Sequence, residues 1–311
     1  MAELIAAENC FALTLQQETP GFDRDKPLVL LTFDDNYVDQ TINLILSIDA
    51  WHPGEVSFLC LCPRLRQENV DALMGLSQGL RLSCFNHSHL PDSGVWPVCS
   101  LFRLFSPWLL EERIHRVLYL DSDILCVGSL EELFRLEVPC IAMCNEVSGN
   151  ANYSQLEAIR PLIPTEIYCN SGVTILNLDT LRRDYSFGEI YGELGRLRGS
   201  LVYVDQDFLN VFFRGRIRLM NGFAYNFQVC ELADTAFYSM ALKNSRLLHF
   251  TWSKPWDYKT GLCMIRLYES YSLYEPMLRK VRRAHRLSIL YAPIRLAGRI
   301  LSPIRRKLRE R

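Results

Sequence analysis

Along the first 260 residues, short apolar runs alternate with stretches in which apolar residues recur every three or four positions. The runs at 28–33, 56–61 and 80–85 are too short for core helices and carry no polar face, so each predicts a buried strand. Residues 41–48 and 66–76, lying between them, predict helices. The same reading predicts strands over 117–120, 138–144, 171–178 and 247–250, and a helix over 205–213. A short helix is expected from Ser129, with Ser129 as N-cap and Glu132 completing a capping box. Strands that alternate with helices predict an α/β fold built on a mostly parallel sheet. Residues 1–26 have weak periodicity and end in the turn signal Thr19-Pro20-Gly21, so they are expected to precede the main fold as an extension.

Composition narrows this picture. With 49% hydrophobic and 22% charged residues, the 311-residue chain can bury a sizeable core as one large α/β domain or two smaller ones, which excludes a disordered chain. Its net charge of −1 hides an asymmetry: from Arg279 onward twelve basic residues face one acid, Glu310, giving +11 against −12 for the rest. An acidic body with a basic tail predicts an anionic partner for the tail. The 11 cysteines are odd in number and form no CxxC pair, which argues against a zinc site and a disulfide framework and predicts small buried hydrophobes in a reducing compartment. Glu3 and Glu8 stand where a secretory signal needs basic residues. No run of 18 uncharged apolar residues occurs, so a cytoplasmic location is expected.

The candidate chemistry gathers where apolar runs stop. Val117-Leu118-Tyr119-Leu120 ends at Asp121-Ser122-Asp123. Residues two apart in an extended chain point the same way, so both carboxylates converge at a strand's carboxyl end, where open α/β sheets place ligands. Such a pair can hold a hard divalent cation and, through it, a diphosphate; the bland alternative is a solvated turn. A haloacid-dehalogenase-type phosphatase also places two aspartates after a strand, but its motif wants Thr or Val two residues beyond the second, where Leu125 stands. Asp34-Asp35-Asn36-Tyr37 could hydrogen-bond and stack on a pyrimidine, or form an Asx turn that caps the next helix. His249 could be a third metal ligand or a hydrogen-bonded core residue, and Lys254 a phosphate contact or a surface lysine. Asn170-Ser171-Gly172 could be a plain turn, with glycine for backbone freedom, and Asp205 a helix N-cap.

In order, Asp34-Asp35-Asn36-Tyr37, Arg103, Leu118-Tyr119-Leu120-Asp121-Ser122-Asp123, Asn170-Ser171-Gly172-Val173, Asp205-Gln206-Asp207 and His249…Lys254-Pro255-Trp256 resemble glycosyltransferase family 8, over about residues 27–260. The resemblance is strongest to bacterial lipopolysaccharide galactosyl- and glucosyltransferases. It implies a GT-A fold, that is, a Rossmann-like mixed sheet flanked by helices. It also implies Mn2+ or Mg2+ held by Asp121, Asp123 and His249. Asp34, Asp35, Asn36 and Tyr37 would contact the uridine, with Ser122 beside the ribose. Arg103 and Lys254 would contact phosphate and sugar, and Asn170, Asp205 and Gln206 would surround the donor sugar, the last two at the catalytic centre. The chain departs from the family pattern between His249 and Lys254, where the spacing is five and Trp252 stands in the loop.

These readings together predict three regions: an extension over 1–26, a nucleotide-sugar transferase domain over 27–262, and a helical basic tail over 263–311. The expected activity is transfer of galactose or glucose from a UDP-hexose to a hydroxyl of a glycan acceptor, such as lipopolysaccharide or another cell-surface glycan, with retention at the anomeric carbon. The alternatives are an inactive nucleotide-sugar-binding protein and a metal-dependent phosphatase. The tail interleaves basic residues with Leu287, Ile289, Leu290, Ile294 and Leu296 and predicts contact with an anionic membrane through 279–311, broken by Pro293 and Pro303. The enzyme would then sit peripherally on the inner face of the cytoplasmic membrane, and no nucleic-acid partner is expected.

Overall fold

Six of the apolar runs meet in one sheet because residues buried on both faces can pair only with one another. The computed structural model describes residues 12–76, 78–86, 90, 97–146, 167–229, 242–251, 254–257 and 263–290. Its strands are β1 (Ala12–Glu18), β2 (Leu28–Thr32), β3 (Ser57–Pro63), β4 (Leu80–Asn86), β5 (Arg116–Leu120), β6 (Ile124–Cys126), β7 (Ile141–Asn145), β8 (Cys169–Asn177), β9 (Ile217–Met220), β10 (Phe227–Gln228) and β11 (Leu247–His249). The large sheet runs β1-β4-β3-β2-β5-β8-β7-β9. β4, β3, β2 and β5 are parallel, and β8 lies antiparallel to both β5 and β7. The chain leaves β2 for β3 on one side and returns to β5 on the other. That reversal opens a crevice beyond the carboxyl ends of β2 and β5, where Asp121 begins.

Alternate strand residues feed two cores. Leu30, Leu59 and Tyr119 face α3 (Phe102–Leu109), α5 (Phe187–Leu197) and α6 (Val204–Phe212), once α1 (Val38–Asp49), α2 (Gln67–Met74) and α4 (Leu178–Asp184) are counted in chain order. Val29, Leu31, Leu118 and Leu120 face α1 through Ile42, Ile45 and Ile48. A second, small sheet, β10-β11-β6, has its own core. The tripeptide Asp121-Ser122-Asp123 is the link between the two sheets, since it joins β5 to β6. Cys60, Cys62, Cys84, Cys99, Cys126, Cys140, Cys144 and Cys169 are buried, consistent with their reading as small hydrophobes.

Three expectations change. The supposed extension contributes β1, an antiparallel edge strand on β4. An edge strand buries only one face, so it lacks the continuous apolar run that marks the central strands. The capping box at Ser129 does not form. Helix Glu131–Arg135 has Leu130 as N-cap; Ser129 Oγ still accepts the Glu131 N–H at 3.3 Å, and the Leu130 N–H is taken by His52 Nε2 at 2.9 Å, a side chain from the α1 end. The tail also begins later than 263. α7 (Cys263–Tyr271) and the helix over 275–290, α8, bury Ile265, Tyr268, Met277 and Val281 against β10 and β11. Asn43 of α1 accepts the N–H groups of Leu273 and Tyr274 between them, at 2.9 and 3.1 Å. Residues 263–290 are therefore packed with the sheet, while 291–311, with Pro293 and Pro303, lie outside the described residues. Among the described residues no helix is long and apolar enough to cross a membrane.

The β1 edge is tied down electrostatically. Glu111 gathers Arg24 at 3.1 Å together with Arg81 and Arg113, and Arg24 also reaches Glu18 of β1 at 2.8 Å. Desolvation alone would raise the Glu111 carboxyl, but hydrogen bonds from Arg81, Arg24 and Arg113 hold it at about 2. A depressed carboxyl stabilises the fold above its ordinary value of 4.5, and this contribution fades as pH falls from there toward about 2. Urea unfolding of Glu111→Gln should show a flatter loss of stability across that window than the parent protein shows. Parallel acid profiles would contradict the assignment.

Candidate active site

The reversal between β2 and β5 opens into a cavity of about 420 Å3. Asp121, Ser122 and Asp123 form its floor, with His249 and Lys254 on one side and Asn170, Asp205 and Gln206 on the other. β8 enters through Asn170-Ser171-Gly172, and the first turn of α6 presents Asp205 and Gln206. Residues dispersed over more than 200 positions thus converge because the sheet order brings β5, β8 and β11 to one end.

Arg103, on α3, organises the floor. Its side chain is 6% exposed and donates to Asp121 Oδ1 at 2.8 Å and to the Ser171 carbonyl at 3.0 Å. It also pairs with Asp205 Oδ2 at 3.2 Å and stacks 3.8 Å over the Tyr119 ring. Burial would lower its basicity, but Asp121 and Asp205 outweigh that and hold it above the usual arginine value. Tyr119 donates to the same Asp121 oxygen at 2.7 Å, so Oδ1 is fully engaged. The other oxygen, Oδ2, lies 3.8 Å from His249 Nε2. Asp205 carries no cap: the α6 N-cap is Tyr203, without a side-chain bond. Its carboxyl is pushed upward by burial, against the pull of Arg103.

Asp121, Asp123 and His249 offer ligand atoms all within 4.8 Å of one another. His249 is 4% exposed, and its Nε2 sits 3.1 Å from Asp123 Oδ1. That oxygen is buried with no hydrogen-bond partner. Asp123 Oδ2 is paired with Lys254, which also donates to the Phe250 and Thr251 carbonyls. Burial would raise the Asp123 carboxyl, yet the Lys254 ammonium beside it holds it well below the usual carboxylate range. Gly172 faces this cluster. A Cβ there would collide with the His249 ring and lie 2.8 Å from Asp121 Oδ2. Its glycine is therefore required by close approach, since its φ is not positive. An orphaned buried carboxylate oxygen, an imidazole nitrogen, a second carboxylate and a cradle kept free of Cβ fit a divalent cation.

Gln206 is clamped at both ends. Its Oε1 accepts the Ser171 N–H at 3.0 Å, and its Nε2 donates to the Tyr168 hydroxyl at 3.0 Å. Tyr168 in turn donates to Asp207 Oδ1, while Asp207 Oδ2 accepts the N–H groups of Val202 and Tyr203 at 2.6 and 2.8 Å. Asp207 is fully buried and fully committed, so it holds the α6 start in place. Asn210 binds both backbone groups of Cys169 at 2.8 Å and locks α6 to β8.

The proposed pyrimidine contacts divide. Tyr37 lines the cavity. Asp34 accepts from the Asn36 N–H at 2.9 Å and side-chain amide at 3.2 Å, so the Asx turn does form. Asp35 is turned away: its Oδ1 accepts the Arg66 N–H at 3.0 Å and the Asn69 amide at 2.6 Å, which fixes the start of α2. Ser122 lies beside Thr41, their hydroxyls 2.8 Å apart. Trp252 and Ser253 lie outside the described residues. Sequence reading missed Tyr119, Tyr168, Glu146 and Asn226. Asn226 and Gln228 alternate with Phe227 and Val229 in an apolar stretch, and that pair of amides was the one available signal.

Residues 28–260 match Glycosyl transferase family 8. A lipopolysaccharide 1,2-glucosyltransferase of Escherichia coli is 29% identical over 244 residues, 72% of this chain and 71% of that protein. A lipopolysaccharide 1,3-galactosyltransferase of Salmonella typhimurium is 24% identical over 187 residues, covering 56% of this chain and only 54% of that protein. Among solved structures, the galactosyltransferase LgtC in complex with donor and acceptor sugar analogues superposes with a TM-score of 0.60 at 21% identity, over 84% of this chain and 95% of that one. This last likeness shows the fold, which is the GT-A fold.

Arg103→Met should leave Asp121 and Asp205 without their shared cation. Removing one partner of a buried pair costs about 3–5 kcal/mol, to be read as a lowered urea midpoint and partly recovered by adding Asp205→Asn. Unchanged stability would contradict the role. Gly172→Ala should give a folded protein that no longer binds Mn2+ by electron paramagnetic resonance; binding at the parent affinity would contradict the cradle.

Proposed function

The chain belongs to Glycosyl transferase family 8, and on that premise we propose that it transfers galactose or glucose from a UDP-hexose to a hydroxyl of a lipopolysaccharide-type glycan, with retention at the anomeric carbon. The observation that carries this reading is the cavity in which an orphaned Asp123 oxygen, Asp121 Oδ2 and His249 Nε2 converge opposite Asp205 and the clamped Gln206. The lipopolysaccharide acceptor rests on the relatives that carry that name.

Asp121, Asp123 and His249 would hold the metal. An imidazole beside two carboxylates suits Mn2+ better than Mg2+, which prefers an all-oxygen shell and keeps its waters. A divalent ion so bound supplies positive charge for a departing diphosphate. The chain's own residues do the rest. Tyr37 offers a ring for the base. Lys254 is the cation for phosphate, and Arg103 keeps Asp121 and Asp205 aimed. Among the described residues the carboxylates on this side of the cavity are engaged: Asp205 Oδ2 by Arg103 and Ser171, Glu146 by Asn170, and Asp207 in the α6 start. Attack by the acceptor hydroxyl on the same face therefore fits best. The bond from the anomeric carbon to the diphosphate oxygen breaks as the bond to the acceptor oxygen forms, and the acceptor proton passes to the departing phosphate oxygen. The Gln206 amide sits where it can stabilise the cationic sugar between these events.

Membrane contact belongs to the solvent face of α8. Arg282, Arg283, Arg286, Ile289 and Leu290 are exposed there, with Leu290 70% exposed, while Met277, Val281 and Ala284 pack inward. A basic helix with exposed apolar residues suits an anionic surface.

A thermal-shift screen of UDP-sugars with Mn2+ should single out one hexose, since only a ligand of the native state raises the midpoint; no shift with any UDP-sugar would overturn the donor. Asp121→Asn and Asp123→Asn should each abolish metal-dependent turnover and UDP-sugar hydrolysis. Full activity of either in the presence of a chelator would contradict the metal site. Arg283→Glu with Arg286→Glu should release the protein from anionic vesicles yet keep UDP-sugar hydrolysis. Truncation at Arg279 is the poorer test, because it removes Val281 and Ala284 from the core.

A further inference from the structure

We propose that Asn226 is a positioning residue that sets, with one amide, both the tautomer of His249 and the orientation of Asn170, so that the metal ligand and the donor-sugar contact are built as a unit. The inference rests on the reading of the Asp121, Asp123 and His249 cluster as a cation site.

The direction of the hydrogen bonds is fixed from a group that cannot flip. The Gly172 backbone N–H donates to Asn170 Oδ1 at 2.9 Å, which settles which end of the Asn170 amide is oxygen. That oxygen also lies 2.8 Å from Asn226 Nδ2, which must then be the donor. The opposite end of the Asn226 amide is its oxygen, and it lies 2.7 Å from His249 Nδ1. Nδ1 therefore carries the imidazole proton, and Nε2 keeps its lone pair, 3.1 Å from the unpartnered Asp123 Oδ1. Two acceptors facing each other across 3.1 Å need a cation between them. Asn170 meanwhile donates through Nδ2 to Glu146 Oε2 at 3.0 Å on the far side of the cavity.

Asn226 is suited to hold this line still. It is fully buried, and its N–H closes the short helix Gly222–Tyr225 on the Gly222 carbonyl at 3.0 Å. β10 starts at the next residue and pairs in parallel with β11, bringing Gln228 level with His249. The amide is thus anchored on the strand that neighbours the ligand. A leucine or alanine in its place would remove the acceptor for Nδ1–H and the donor to Asn170 together. An aspartate would keep the first and lose the second, so the two tasks can be separated.

The experiment uses the full chain as wild type, Asn226→Ala and Asn226→Asp. Nitrogen-15 spectra of the histidine rings in metal-free wild type, with His249 assigned through His249→Gln, should show the Nδ1–H tautomer. Mn2+ titration by electron paramagnetic resonance should weaken about 10–100-fold in Asn226→Ala, the range for lost partners of metal-binding histidines, and stay within about three-fold of wild type in Asn226→Asp. UDP-hexose hydrolysis at saturating Mn2+ should nonetheless fall at least about ten-fold in Asn226→Asp. An Nε2–H tautomer in wild type overturns the proposal, as does equal weakening of Mn2+ in both variants or wild-type affinity in Asn226→Ala. Should Asn226→Ala not fold, the wild-type tautomer and the behaviour of Asn226→Asp decide. A wild type that shows the Nδ1–H tautomer but binds no Mn2+ overturns the cation-site reading, which separates the two failures.

Discussion

Three carboxylates, Asp121, Asp123 and Asp205, are drawn into one partly buried cavity, and the rest of the site follows from the need to neutralise them. Buried charges are costly unless they are paired and hydrogen-bonded. Arg103 answers two of them at once, and its position on α3, stacked over Tyr119, orients Asp121. Lys254 answers the third, held also by the Phe250 and Thr251 carbonyls. Even so, one Asp123 oxygen stays unpaired. One more cation would fit there, beside Gly172 without a Cβ, His249 hydrogen-bonded to Asn226, and Tyr119 on Asp121.

This arrangement also explains why the site lies where it does. The apolar run of β5 must pair inside the sheet, and its polar continuation must leave it at the crevice where the strand order reverses. Asp121-Ser122-Asp123 is short because β6 takes up pairing in the second sheet at once, and β11 delivers His249 opposite Ile124. The candidate metal ligands therefore straddle two sheets, and the small one gives Ile124, Cys126 and Leu247 to the core beneath α1 and Leu125, Phe227 and Leu248 to its own. A larger cleft at the opposite, amino-terminal end of β2 and β5, lined by Arg24, Arg113 and Phe134, holds none of these groups.

What could be read from the sequence was whatever leaves a mark on local order. The central strands showed because burial on both faces requires unbroken apolar runs, and Asp121 and Asp123 showed because carboxylates interrupt one. The family order of the motifs placed Arg103, Gln206 and His249, which no periodicity could. β1 was missed because an edge strand alternates weakly, and the docking of 263–290 because its buried apolar residues, Ile265, Tyr268, Met277, Val281 and Ala284, are split between two short helices and run into the basic cluster that begins at Arg279. Asp35 parts from Tyr37, which lines the cavity: its carboxylate is spent on the Arg66 N–H and the Asn69 amide, contacts that leave no mark on local sequence. Tyr168 and Asn226 act only through other side chains, and such roles are set by tertiary contacts that leave no spacing behind.

The central claim is that the cluster is a cation site built to receive a nucleoside diphosphate, and calorimetric titration of UDP with and without Mn2+ tests it most directly. The account predicts that UDP binds tightly only when Mn2+ is present, and that the Mn2+ dependence vanishes in Asp123→Asn. UDP binding of equal strength in a chelator would contradict it.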